Sequence, residues 1–247
     1  MSTFLKVFKV EAKLGMRCID SVFFGVIMPA GVFLLIAALC GSKPAYDGSS
    51  YTMLEASFGA LITVGICATA FMGIPLTIAD YRDKKILKHF FVTPTSPLLL
   101  LGSHFVLQVL LSICSAGIIF LLASICYGYR IKGSVVLFLL SYFFVMVAMY
   151  SLGMAIASVC KTVKATNVVC TVVYFPMLFL SGATIPYEVF PTPLQKIAEF
   201  LPLTQGIKLL KESSLGIPVG NLTLAIIVLA SSCHGKIRIS LGIKTLI

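Results

Sequence analysis

Five apolar runs, each long enough to cross a bilayer and nearly free of charge, constrain this chain more than any other feature. A helix rises 1.5 Å per residue and needs about 20 apolar residues to cross a hydrocarbon core of about 30 Å. Residues 21–40, 54–79, 98–126, 135–159 and 166–185 reach that length, with Glu55 their only charged side chain. Backbone amides in lipid must be satisfied within their own segment, so each run reads as a helix. A sixth run, 218–240, is weaker. Pro218 to Cys233 supplies 16 residues, about 24 Å of helix, so a full crossing continues past His234, Gly235 and Lys236. The expected fold is an all-α membrane protein, one domain over 1–247 with six transmembrane helices. Hydrophobic residues make up 59% of the 247 and charged ones 11%, against about 25% charged in soluble domains, which excludes an ordinary soluble enzyme.

The net charge of +10 sits in short clusters between the apolar runs. That distribution suits anionic lipid and the retention of Lys and Arg in the cytoplasm, and it argues against a nucleic-acid partner. One set of alternate loops holds thirteen basic residues: Lys6, Lys9, Lys13, Arg17, Arg82, Lys84, Lys85, Lys88, Lys161, Lys164, Lys236, Arg238 and Lys244. The other holds six: Lys43, Arg130, Lys132, Lys196, Lys208 and Lys211. Both termini are therefore expected in the cytoplasm. With no tryptophan in the chain, Tyr46, Tyr51, Tyr127, Tyr129 and Tyr187 are the candidate interfacial anchors at the outer ends. None of the eight cysteines forms a CxxC pair, so packing is their expected role. The first 20 residues are too long and too charged for a signal-peptide head, and residues 21–40 are read as an uncleaved anchor.

Three shorter segments carry their own pattern. In residues 1–20, Lys6, Lys9, Lys13 and Arg17 recur at helical spacing, with Phe4, Val7, Phe8 and Leu14 on the other sides. This predicts an interfacial amphipathic helix that anchors to lipid or meets a partner. Residues 80–97 place Ile86, Leu87, Phe90 and Phe91 among charges, which predicts a cytoplasmic helix from Asp80 to Phe91 ended by Thr93-Pro94-Thr95-Ser96-Pro97. Residues 186–203 are rich in proline. Thr192 as N-cap, Pro193 at the first helical position and Gln195 three after the cap predict a short helix to about Phe200. Its apolar face, Leu194, Ile197, Ala198 and Leu201, suits an external hairpin half-embedded in the outer leaflet.

With these segments in place, the chain resembles the ABC-2 type membrane subunits of ATP-binding-cassette exporters. One likeness lies in Asp83, Phe90, Phe91, Val92, Thr93, Pro94 and Ser96, although Lys85-Ile86 stands where relatives commonly carry Gly-Thr. The stronger one is Ser181-Gly182, Pro186, Phe190-Pro191, Leu194, Ile197 and Pro202-Leu203-Thr204. The resemblance implies a permease moving a drug, lipid, peptide or lipid-linked glycan out of a bacterial cytoplasm. It implies a separate ATP-binding subunit, which binds ATP and Mg, and a second copy of this chain or a related permease. Asp83, Lys84, Lys85, Ile86, Leu87, Lys88, Phe90 and Phe91 would then form the coupling helix that meets the ATP-binding subunit. Ser181, Gly182, Pro186, Phe190, Pro191, Leu194, Ile197 and Pro202 would form the external gate.

No P-loop spacing occurs at His234-Gly235-Lys236 or Gly242-Ile243-Lys244-Thr245, and His89, His104 and His234 stand apart in the sequence. No catalytic, metal or cofactor site is expected on this chain. His104, Gln108 and Asn167 are the polar groups within spans; each either lines a route or, as is commoner, bonds a neighbouring helix. Phe143, Tyr150, Asn167, Tyr174, Phe175 and Phe179 are the candidate substrate path. The alternative is an ion-coupled secondary transporter, which would be expected to bury ionisable groups at mid-span.

Overall fold

The computed structural model describes residues 3–15, 19–40, 43–45, 49, 51–86, 97–160, 162–183, 187 and 190–217. Its named elements are helical: α1 (Thr3–Gly15), α2 (Ile19–Val22), α3 (Met28–Cys40), α4 (Met53–Ala68), α5 (Ile74–Asp83), α6 (Pro97–Tyr127), α7 (Val135–Val159), α8 (Val163–Leu180), α9 (Thr192–Glu199) and α10 (Pro202–Leu215). Wide π turns, Phe23–Ile27 and Thr69–Gly73, join α2 to α3 and α4 to α5. Five helical segments are long and apolar enough to cross a membrane: Phe23–Cys40, Met53–Asp83, Leu99–Tyr127, Val135–Val159 and Val163–Leu180. They overlap the first five predicted spans, the fifth running over Val163–Leu180 against the expected 166–185. The predicted sixth span lies outside the described residues.

Each π turn is followed, one residue on, by a proline, Pro29 and Pro75. A proline has no N–H to give the carbonyl four residues back, and its ring collides with that carbonyl, so the turn before it widens. The two wide turns face each other. A Cβ on Gly25 would lie 2.9 Å from the Thr69 methyl, and one on Gly153 of α7 would run into the Ala70 carbonyl oxygen. The first, second and fourth spans thus meet backbone to backbone at this level, as small residues permit in membranes.

The second span is the bundle's axis, with 83% of its most apolar stretch buried, whereas the first and third spans are 22% buried. Phe58, Phe71, Ile66 and Tyr150 form the core around it. The outward faces remain apolar, with Leu35, Ile125, Leu140 and Val172 all exposed. Water would not tolerate so continuous an apolar surface; lipid does.

Three predicted boundaries shift. The second span does not stop at Ala79 but continues as helix to Asp83, and the chain then turns at Lys84–Lys85, where Lys85 has φ of 55°. The predicted helix from Asp80 to Phe91 is therefore broken after its first turn. Thr192 is the first helical residue rather than the cap; Pro191 caps α9, and the Gln195 amide donates to the Phe190 carbonyl at 2.9 Å. Finally, the hairpin predicted over 186–203 does not end at 203. It continues into α10, which buries Leu203, Ile207 and Leu210 against α4.

Candidate coupling and translocation site

At one end of the bundle α1 lies against α6 and carries a buried acid. Lys6, Lys9 and Lys13 are exposed as their spacing predicts, but Phe4 and Leu14 are exposed too, and Glu11 is only 3% exposed. Its carboxylate accepts from the Tyr81 hydroxyl at 2.6 Å and lies 3.3 Å from His104 Nδ1. The other imidazole nitrogen is 3.2 Å from the Gln108 amide nitrogen, and the Ser21 hydroxyl donates to Gln108 Oε1 at 3.1 Å. A carboxylate only accepts, so His104 Nδ1 carries the proton and Nε2 accepts from Gln108. Every member is then satisfied, and the chain of bonds ties α1 to the first three spans. From Gln108 the connection runs deeper. Its backbone carbonyl accepts from the Tyr150 hydroxyl at 2.8 Å, and that hydroxyl is 3.0 Å from the Thr69 hydroxyl in the second π turn.

The same end of the second span is clamped to the turn between the fourth and fifth. Arg82 donates to the Cys160 carbonyl at 2.8 Å and the Ala157 carbonyl at 2.6 Å, filling two orphan acceptors at the end of α7. Asp83 accepts from the Val163 N–H at 3.0 Å, an orphan donor at the start of α8. A cation at a helix C-terminus and an anion at a helix N-terminus also suit the two helix dipoles. Of the predicted coupling residues, Asp83 belongs to this clamp, Lys84 and Lys85 form the exposed turn and Ile86 is half-buried. Leu87, Lys88, Phe90 and Phe91 lie outside the described residues.

At the opposite end, α9 and α10 make a helical hairpin. Ser181 is buried with its hydroxyl on the Leu178 carbonyl, and Gly182 has φ of 84°, a conformation glycine adopts freely at this helix exit. Tyr187 donates to Glu199 at 2.9 Å, and Lys208 sits 3.8 Å over the Tyr187 ring, locking the hairpin's arms together. Leu194, Ile197 and Phe200 point outward, whereas Ala198, predicted on the same face, is fully buried. Pro202 opens α10. Pro186 lies outside the described residues. Gly59 lets α10 rest on the second span, since a Cβ there would come within 2.9 Å of the Lys211 backbone. The Thr52–Glu55 capping box starts α4, and Glu55 also pairs with Lys132 at 2.6 Å. Tyr129, predicted as an interfacial anchor, instead packs in the core against Phe58 with ring centroids 4.5 Å apart.

The six predicted path residues separate into inward and outward groups. Tyr150 and Tyr174 face the core of this chain, and Phe175 is half-buried against Phe24 of the first span. Asn167 and Phe179 are exposed on α8, and Phe143 is exposed on α7. His104 and Gln108 bond neighbouring helices, whereas the Asn167 side chain meets Thr171 of its own helix. Sequence reading passed over Glu11, Tyr81 and Arg82 as partners. Arg82 followed by Asp83 at a helix end was the available sign; nothing local marks Glu11 as buried.

The chain matches the ABC-2 type transporter family over residues 9–214. It belongs to that family, as a membrane subunit of an ABC transporter. Among known proteins it is 42% identical over 82 residues to Nodulation protein J of Rhizobium leguminosarum bv. viciae, covering 33% of this chain and 32% of that protein. It is 36% identical over 77 residues to Nodulation protein J of Neorhizobium galegae, covering 31% and 29%. The matched stretches thus span less than two thirds of these relatives' own length.

Proposed function

We propose that this chain is the permease of an ABC exporter, carrying a drug, lipid, peptide or lipid-linked glycan out of the cytoplasm. ATP and Mg are bound by a separate subunit, and two permeases, identical or related, assemble with two ATP-binding subunits. Both termini are cytoplasmic, and the Lys84–Lys85 turn and the segment through Phe91 face the ATP-binding subunit. The observation that carries this reading is the Arg82–Asp83 clamp. It joins the root of the proposed coupling segment to the fourth and fifth spans in three charge-assisted bonds. A pull on that segment therefore reaches α7 and α8 directly, while Tyr81 and Glu11 pass it to α1 and the third span. The α9–α10 hairpin at the far end closes the exit.

Purification of the tagged chain from its native membrane tests the assignment. A second protein bearing a P-loop should co-purify, and ATP hydrolysis by the complex should vanish when the P-loop lysine of that protein is replaced. Hydrolysis that survives the replacement would overturn the reading.

A further inference from the structure

The chain leaves the second span through a turn whose backbone is unusual for the residue it carries. The Lys84 N–H donates to the Asp80 carbonyl at 2.9 Å and the Lys85 N–H to the Arg82 carbonyl at 3.0 Å. Lys85 then lies at φ of 55°, the only residue other than glycine with positive φ among those described. Glycine takes that conformation without cost, whereas a Cβ crowds the carbonyl that follows it. A side chain kept at a strained position is a sign of function.

The neighbouring charges are already engaged. Arg82 fills the Cys160 and Ala157 carbonyls, Asp83 accepts from the Val163 N–H, and Lys84 pairs with Asp80 at 2.8 Å. Glu11, the other acid whose side chain is described at this end, is buried with Tyr81 and His104. Lys85 is exposed, and among the described residues no acid pairs with it. With nineteen basic residues against nine acidic ones, the chain is itself short of partners for that charge. We infer that Lys85 is held out to meet an acidic side chain of the ATP-binding subunit, and that this charge steers the subunit onto the permease. The inference rests on the function proposed above and adds to it the chemistry of one contact.

Two features favour a protein acid over water or a lipid headgroup. The first is the fixed backbone. Lysine has a long flexible stem that reaches water or headgroups from an ordinary conformation, so neither explains a left-handed turn. An ion pair with a folded partner needs its two sides to meet in one register. The second is position. The Arg82–Asp83 clamp braces this turn against the fourth and fifth spans, at the root of the segment proposed to meet the subunit.

Lys85→Gly separates the charge from the backbone, because glycine relieves the strain while removing the ammonium. The full chain and its variants are purified in a neutral detergent, and the association and dissociation rates of the co-purifying ATP-binding subunit are measured at low and high ionic strength. Lys85→Gly should unfold no earlier than the unaltered chain yet associate about fivefold more slowly at low salt, with its salt dependence flattened and its dissociation little changed. Lys85→Glu should associate more slowly still, and Lys85→Arg should restore the rate. Lys164→Gln, which removes another exposed charge at the same end, should match the unaltered chain. Association of Lys85→Gly at the unaltered rate would overturn the proposal, as would an equal slowing by Lys164→Gln, which would show a general charge effect. Slowing that appears only when phosphatidylglycerol is added would assign Lys85 to lipid headgroups and also overturn it. The proposed function fails separately, by the absence of any P-loop protein bound to the unaltered chain.

Discussion

Glu11 and Gln108 show how few side chains hold the α1 end of the bundle together. Glu11→Ala would leave the His104 N–H buried without its acceptor, at about 1–3 kcal/mol, and would remove the short bond from the Tyr81 hydroxyl. Glu11→Gln has a way out. Its carbonyl can accept from Tyr81 while its amide donates to His104, provided the imidazole changes tautomer and the Gln108 amide flips. Thermal unfolding of the detergent-solubilised chain should therefore drop by several degrees for Glu11→Ala and change little for Glu11→Gln. Equal losses would mean that the carboxylate's charge matters beyond its bonds. Arg82→Ala removes two charged hydrogen bonds, about 1.5–3 kcal/mol each in a dry setting and less here, where the side chain is half-buried. It should loosen the join between the second and fourth spans, read as faster amide exchange at Ala157–Val163, with the rest of the bundle unchanged. His104 and Gln108 stood out in the sequence because polar groups are rare in spans. Their partner Glu11 did not, since an acid among lysines reads as one more solvated charge until the third span is seen beside it.

At the scale of elements, hydropathy located every described span to within a few residues, because a membrane demands length and little else. The hairpin was only half legible. Pro191, Pro193 and the apolar spacing revealed α9, but α10 has Lys208, Lys211 and Glu212 along it, so its average composition hid one strongly buried face. The π turns had a local sign in Pro29 and Pro75, each preceded by a run of good membrane residues, but their juxtaposition is a tertiary fact. The contact between α10 and α4 depends on one missing side chain. Gly59→Leu cannot be accommodated by a rotamer change, since the obstacle is the Lys211 backbone. It should displace the hairpin and expose α10 to proteolysis near Gly216; an unchanged digestion pattern would show that α10 is not held there. On α9, Ile197→Asp places a charge on an exposed apolar edge, which costs about 2–3 kcal/mol for an edge embedded in lipid. Export should fall while association with the ATP-binding subunit is kept.

For the whole molecule, the proposed function has force entering at one end and a gate answering at the other, with the second span as the buried axis between them. Orientation is checked by reporter fusions: those after Asp47 and Tyr187 should report outside, and those after Lys85 and Lys164 inside. An internal signal at Tyr187 would contradict the topology. The composition made a membrane subunit legible at once, but it carries no sign of what is transported. The outward faces of the described spans are largely aliphatic and aromatic. The most direct measurement concerns the coupling segment itself. ATP hydrolysis by the partner subunit is compared alone, with this chain, and with its Leu87→Ala/Phe90→Ala variant, alongside the amount of partner retained on purification. Removing two apolar anchors worth about 2 kcal/mol each should weaken retention by well over tenfold. It should also abolish the stimulation of hydrolysis, with the variant still folded in the membrane. Wild-type retention and stimulation in that variant would contradict the account and place the contact elsewhere, most directly on the exposed lysine face of α1.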